Sequence, residues 1–135
     1  MDDTATKVLL VAGTANLLVG ALSGIPMGMQ RQKGVATVPK YLTMVHLGGL
    51  MQGPLLISVA FAMTISQLSS WVDTTAAVTL AAASVLLIAK DTLNWMQGVQ
   101  DEFAEQSVGL RLGQLFGPVH IVGLGLATAA VLSGL

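Results

Sequence analysis

The chain has 135 residues, of which 53% are hydrophobic and 10% charged, with a formal net charge of -1. A water-exposed surface needs more charge than this, so composition points to the bilayer as solvent. With no cysteine, disulfide frameworks, thiolate metal sites and cysteine nucleophiles are excluded together. The few Lys and Arg are scattered, which argues against a nucleic-acid footprint.

Residues 8–30 carry no charged side chain, and a helix of that length crosses a hydrocarbon core of about 30 Å. The chain opens Met1-Asp2-Asp3 with only Lys7 following, whereas a cleaved leader would open on basic residues, so this segment is expected to stay in the mature protein. Gly20, Gly24 and Gly28 recur at four-residue spacing, which lets helix backbones approach closely in lipid. Asn16 reads as interhelical glue.

A short basic connection holds Arg31, Lys33 and Lys40, with Gly34 and Pro39 as breakers. The second span is expected over 41–66, kinked at Gly53-Pro54. Residues 67–75, with Trp71 and Asp73, read as an interfacial turn. The third span, 76–100, is interrupted by Lys90, Asp91 and Asn94. Asp101, Glu102, Glu105 and Arg111 then fall in a loop, and the last span, 112–135, carries Gly113, Gly117, Pro118 and His120. The expected fold is an all-α membrane protein, a single domain forming an antiparallel four-transmembrane-helix bundle. The positive-inside rule puts loops 31–40 and 101–111 in the cytoplasm, against Lys7 alone opposite.

Ionisable groups at membrane depth are costly and therefore functional candidates. At a rise of 1.5 Å per residue, His46 lies about 8 Å and Gln52 about 17 Å inside their span, Asn94 about 9 Å, Lys90 about 15 Å and His120 about 12 Å. Polar groups from three helices thus reach similar depths, as a buried site requires. Asp91, Asn94, Trp95 and Gly98 share one helix face, whereas neighbours Lys90 and Asp91 point about 100° apart and are not expected to pair with each other. His46, Gly49 and Gly53 also share a face, and the glycines are expected to leave a smooth groove below the imidazole for something flat and large. The plainer readings stand beside these: His46 hydrogen-bonding a neighbouring helix, Lys90 snorkelling, Asp91 capping an interhelical hydrogen bond.

The run His46-Leu47-Gly48-Gly49-Leu50-Met51-Gln52-Gly53, with Pro39 before it and Asn94-Trp95 on the third span, resembles the signature of the hydroxylaminobenzene mutase and styrene oxide isomerase family. That family consists of small four-helix membrane proteins. The resemblance implies a homotrimer in the bacterial inner membrane, with haem b at subunit interfaces. His46 would be the axial iron ligand and Gly49 and Gly53 would lie against the porphyrin. Ferric iron would act as a Lewis acid on a small aromatic substrate, with Gln52 and Asn94 holding it and Asp91 accepting the ring proton. This chain departs from the pattern at Gly48, where the family often carries an acidic residue, at Gln52, where it carries Asn, and at Gly98, where the isomerase branch has a tyrosine. Rearrangement of hydroxylaminobenzene to 2-aminophenol is accordingly expected over epoxide isomerisation. Two other classes remain open: an electron-transfer subunit with His46 and His120 on one iron, and a haem-free transport or scaffold protein.

Overall fold

The computed structural model describes residues 3–135. Four α-helices follow one another: α1 Asp3–Gln32, α2 Lys40–Ala62, α3 Ser70–Met96 and α4 Val108–Ser133, with a 3₁₀ turn at Met63–Ile65 after α2. No strand occurs among the described residues. Each helix has at least 23 residues and is long and apolar enough to cross a membrane.

The helices begin and end where backbone chemistry permits, not where the apolar runs do. The first was expected over 8–30 and extends to Asp3–Gln32; the ladder continues past the apolar stretch until Gly34, at φ +80°, takes the left-handed conformation that closes a helix. The second, expected to reach 66, tightens into the 3₁₀ turn after Ala62. The turn expected at 67–75 is confined to 66–69, and Trp71 and Asp73 belong to the first turn of α3. There the buried Asp73 carboxylate accepts from Ser66 Oγ at 2.8 Å, a favourable place for negative charge at a helix N-terminus. The third helix stops at Met96 rather than 100 because Gly98, at φ +67°, turns the chain. The fourth starts at Val108 rather than 112 because Ser107 Oγ accepts from Leu110 N at 3.0 Å, an N-cap.

Small residues determine how the helices pair. Between α1 and α2, Gly13 meets Ile57, Leu17 meets Gly53, Gly20 meets Gly49 and Leu50, and Gly24 meets His46. Partner numbers fall as the others rise, which is an antiparallel register. Between α3 and α4 the same relation joins Leu80 to Gly123, Lys90 to Gly113 and Asn94 to Gly109. A methyl group added at Gly49 would stand 2.6 Å from the Asn16 carbonyl oxygen and the Gly20 nitrogen, so these backbones touch as in small-residue membrane seams.

The two hairpins meet in an apolar core near the chain termini, made from Leu9, Leu56, Ala60, Ala76, Ala77, Leu80, Ala127 and Ala130. Deeper in the bundle, Asn16 Nδ2 on α1 donates to Ser84 Oγ on α3 at 3.0 Å, so Asn16 does serve as interhelical glue. The outward faces are apolar: Leu18, Leu22, Ile25 and Met29 form an exposed stripe along α1, and Val78 and Val85 lie exposed on α3, as lipid contact requires.

Candidate functional site

His46 sits in the second turn of α2, on the face that meets α1. Its Nδ1 donates to the Gly20 carbonyl oxygen at 2.6 Å. A carbonyl can only accept, so Nδ1 carries a proton, and in the neutral ring the lone pair lies on Nε2. Gly24 backs the ring: a methyl there would stand 3.2 Å from Cε1. The side chain is part-exposed, and among the described residues Nε2 has no hydrogen-bond partner. A metal-binding imidazole has its other nitrogen held by a carbonyl or carboxylate in this way, which fixes ring and tautomer. The donor set therefore fits an axial ligand. Among the described residues no group of three or more His, Asp or Glu is gathered for a metal ion, so the imidazole would serve alone beside a macrocycle.

The groove expected over Gly49 and Gly53 is not there. Gly49 abuts Asn16 and Gly20, and Gly53 abuts Leu17 and Gly13, so α1 fills the space that a flat ligand would need. These glycines are smooth because a backbone lies on them, and any macrocycle would approach His46 from its exposed side.

The side chains expected to converge with His46 belong to other environments. Gln52 is 8% exposed and its Oε1 has no partner; one turn earlier Gly48 faces Leu87 and Ile88, so this strip of α2 looks towards α3. Asn94 is fully buried and its amide is committed: Nδ2 donates to Glu102 Oε2 at 2.7 Å and Oδ1 accepts from Ser107 Oγ at 2.8 Å. Lys90 and Asp91 do pair, Nζ to Oδ1 at 3.0 Å. Their Cβ directions diverge, but the four-carbon lysine stem curls back, and the same ammonium donates to both Glu102 oxygens at 3.2 Å. Among the described residues no hydrogen bond joins His46 to Gln52, Asp91 or Asn94.

Asp91, Lys90, Asn94, Glu102 and Ser107 therefore form one buried polar cluster that ties loop 97–107 to α3. Tyr41 extends it to α2, its hydroxyl accepting from Glu102 N at 3.1 Å. Glu102 and Ser107 were not picked out from the sequence, although a lysine at membrane depth demands a counter-charge nearby, and Ser107 just ahead of an apolar run carries the usual cap signal. His120 stands elsewhere, its ring 5.1 Å from that of Phe116 and its buried Nδ1 without a partner.

Fold and site together define a four-helix membrane bundle with a part-exposed imidazole hydrogen-bonded across the α1–α2 seam and a separate buried ionic latch. Comparison with protein-family models, with curated proteins and with solved structures finds no match for this chain.

Proposed function

We propose that this chain is a haem-b-binding enzyme of the bacterial inner membrane that rearranges an arylhydroxylamine, hydroxylaminobenzene, to 2-aminophenol. Substrate and product are isomers: an N–O bond breaks, a C–O bond forms at the ortho carbon and a ring proton is redistributed, with no external oxidant or reductant. Ferric haem, when bound, supplies a Lewis acid that draws electron density from the hydroxylamine oxygen.

The single observation that carries this reading is the Nδ1 hydrogen bond of His46 to Gly20, which in the neutral ring leaves the lone pair on Nε2. Gly24 leaves the ring room to hold that orientation. The part-exposed position of the ring suits a site closed by a neighbouring copy; the homotrimer with haem between subunits is what the family resemblance implies, and the basic residues of 31–40 and 101–111 put those loops on the cytoplasmic side. Asn94 and Asp91, committed to the polar cluster, hold the loop rather than the substrate, and an apolar aromatic substrate enters from the bilayer.

The test is the purified protein. A Soret band that responds to hydroxylaminobenzene, is lost in His46→Ala and survives in His120→Ala, with anaerobic conversion to 2-aminophenol and no added reductant, is the expected result. A folded colourless protein, or loss of the band in His120→Ala with retention in His46→Ala, overturns the proposal.

A further inference from the structure

A cavity of 320 Å³ lies where the 97–107 loop folds back over α3 and α4. That volume falls within the range of small-molecule sites, about 300–1,000 Å³. Leu87, Leu110, Phe103 and Phe116 supply its apolar wall, and Lys90 and Glu102 stand in the same wall. The two charged side chains are largely buried but not sealed, keeping 11% and 13% of their surface. Lys90 lies about 9 Å from the end of α3 at Met96 by the helical rise, which puts the cavity near one end of the bundle.

Hydrogen-bond accounting shows what the ionic part of this wall can still accept. The Lys90 ammonium has three hydrogens, and three oxygens take them: Asp91 Oδ1 at 3.0 Å and both Glu102 oxygens at 3.2 Å. It has no donor to spare. An ionised carboxylate offers about four lone-pair sites. Glu102 fills three, with Lys90 on each oxygen and Asn94 on Oε2 at 2.7 Å, and one remains on Oε1. Charge runs the same way. Two carboxylates share one buried ammonium, and Lys40, 5.0 Å from the Tyr41 ring, is exposed and takes no part in the cavity wall. A lipid tail would bring neither a donor nor a charge, and water would bring a donor without a charge. A spare acceptor, an excess of negative charge and phenyl-bearing apolar walls together match a cation with an aromatic body.

We propose that this cavity binds an organic ammonium ion of the arylalkylamine class, whose N–H donates to Glu102 Oε1 and whose ring lies against Phe103 and Phe116. The site is independent of the haem reading and of His46.

The experiment uses the purified full chain in nanodiscs of zwitterionic phosphatidylcholine, with empty discs as the blank and fluorine NMR as the readout. Three probes share one ring: para-fluorophenethylamine, cationic at neutral pH as alkylamines are, para-fluorophenethyl alcohol, which is neutral, and para-fluorophenylacetate, which is anionic. The amine should bind saturably and at least tenfold tighter than the alcohol, and the acetate should not bind above the blank. Glu102→Gln should erase the preference for amine over alcohol. Gln114→Trp places a bulky side chain at an exposed position of the wall and should fill the cavity and abolish saturable binding. Circular dichroism checks folding, and Gln114→Trp keeps the test decisive should Glu102→Gln not fold. Equal affinity for amine and alcohol, preferential binding of the acetate, no saturable binding, a preference that survives Glu102→Gln, or amine binding that survives Gln114→Trp would overturn the proposal.

Discussion

The His46 imidazole and the Gly20 carbonyl, 26 residues apart in the chain, lie 2.6 Å apart across the α1–α2 seam. The side chain that gives the site its chemistry is thus aimed by the backbone of another helix, and that helix can come so close only because it presents glycine.

Gly24 controls the space around the ring. Gly24→Val should push the imidazole off the Gly20 carbonyl, because even one methyl there stands 3.2 Å from Cε1. The expected readout is a changed Nδ1 proton resonance and, if the proposed haem is bound, its weakened retention. Gly28→Val on the same helix, with nothing within 4 Å, should leave both alone.

The seam itself predicts a contrast in stability. Gly20→Ala would bring a methyl to 2.7 Å from Leu50 N and should destabilise by about 1–3 kcal/mol, as overpacking does. Gly28→Ala meets nothing and should be neutral or stabilising by up to about 1 kcal/mol through helix propensity. Thermal unfolding in detergent, followed by helical circular dichroism, separates the two.

Lys90 balances two carboxylates. Lys90→Met should cost about 3–5 kcal/mol, the scale for stranding buried charge, because Asp91 and Glu102 both lose the ammonium that they share. Glu102→Gln should cost less, since Asp91 still pairs the ammonium at 3.0 Å. The same unfolding measurement gives the order.

Ser107 does two jobs, capping α4 at Leu110 N and donating to Asn94 Oδ1. Ser107→Ala should therefore exceed the roughly 1 kcal/mol of an ordinary cap, whereas Ser107→Thr should retain most of the stability. Hydrogen exchange at Leu110 N is the local check.

Glu105 is fully exposed, yet the backbone N–H groups of Asp101 and Gln100 donate to its Oε1 at 3.0 and 2.7 Å. They hold its carboxyl below the usual carboxylate range. A depressed folded value means that the contribution to loop order is present above the unfolded pKa and is lost as pH falls through the folded one. The Gln100 and Asp101 amide resonances should follow that acid titration in the native chain and not in Glu105→Gln.

Three of the four helices were legible because uncharged runs of more than twenty residues have few other fates; the third was legible from its long apolar stretch despite Lys90 and Asp91. Their ends were less so: Asp73 looked interfacial from its charge, but Ser66 lets it turn inward. Glycine spacing showed that close seams exist without showing what fills them, and the bed expected for a porphyrin at Gly49 and Gly53 turned out to be the place of α1. Asn94 stood out as a polar group at depth, but its full commitment to Glu102 and Ser107 depends on how a long loop folds back, which no local pattern records. Lys90 and Asp91 were judged from Cβ directions alone, and a flexible stem overrides those.

The pairing of α1 with α2 and of α3 with α4 divides the molecule at 66–69 into halves that each close most of their own intimate contacts. During membrane insertion the first half has its mate at hand before the third helix is synthesised. A chain severed within that connection and co-expressed as two pieces would retain both seams, leaving the Asn16–Ser84 bond and the shared alanine-rich core to direct their reassembly.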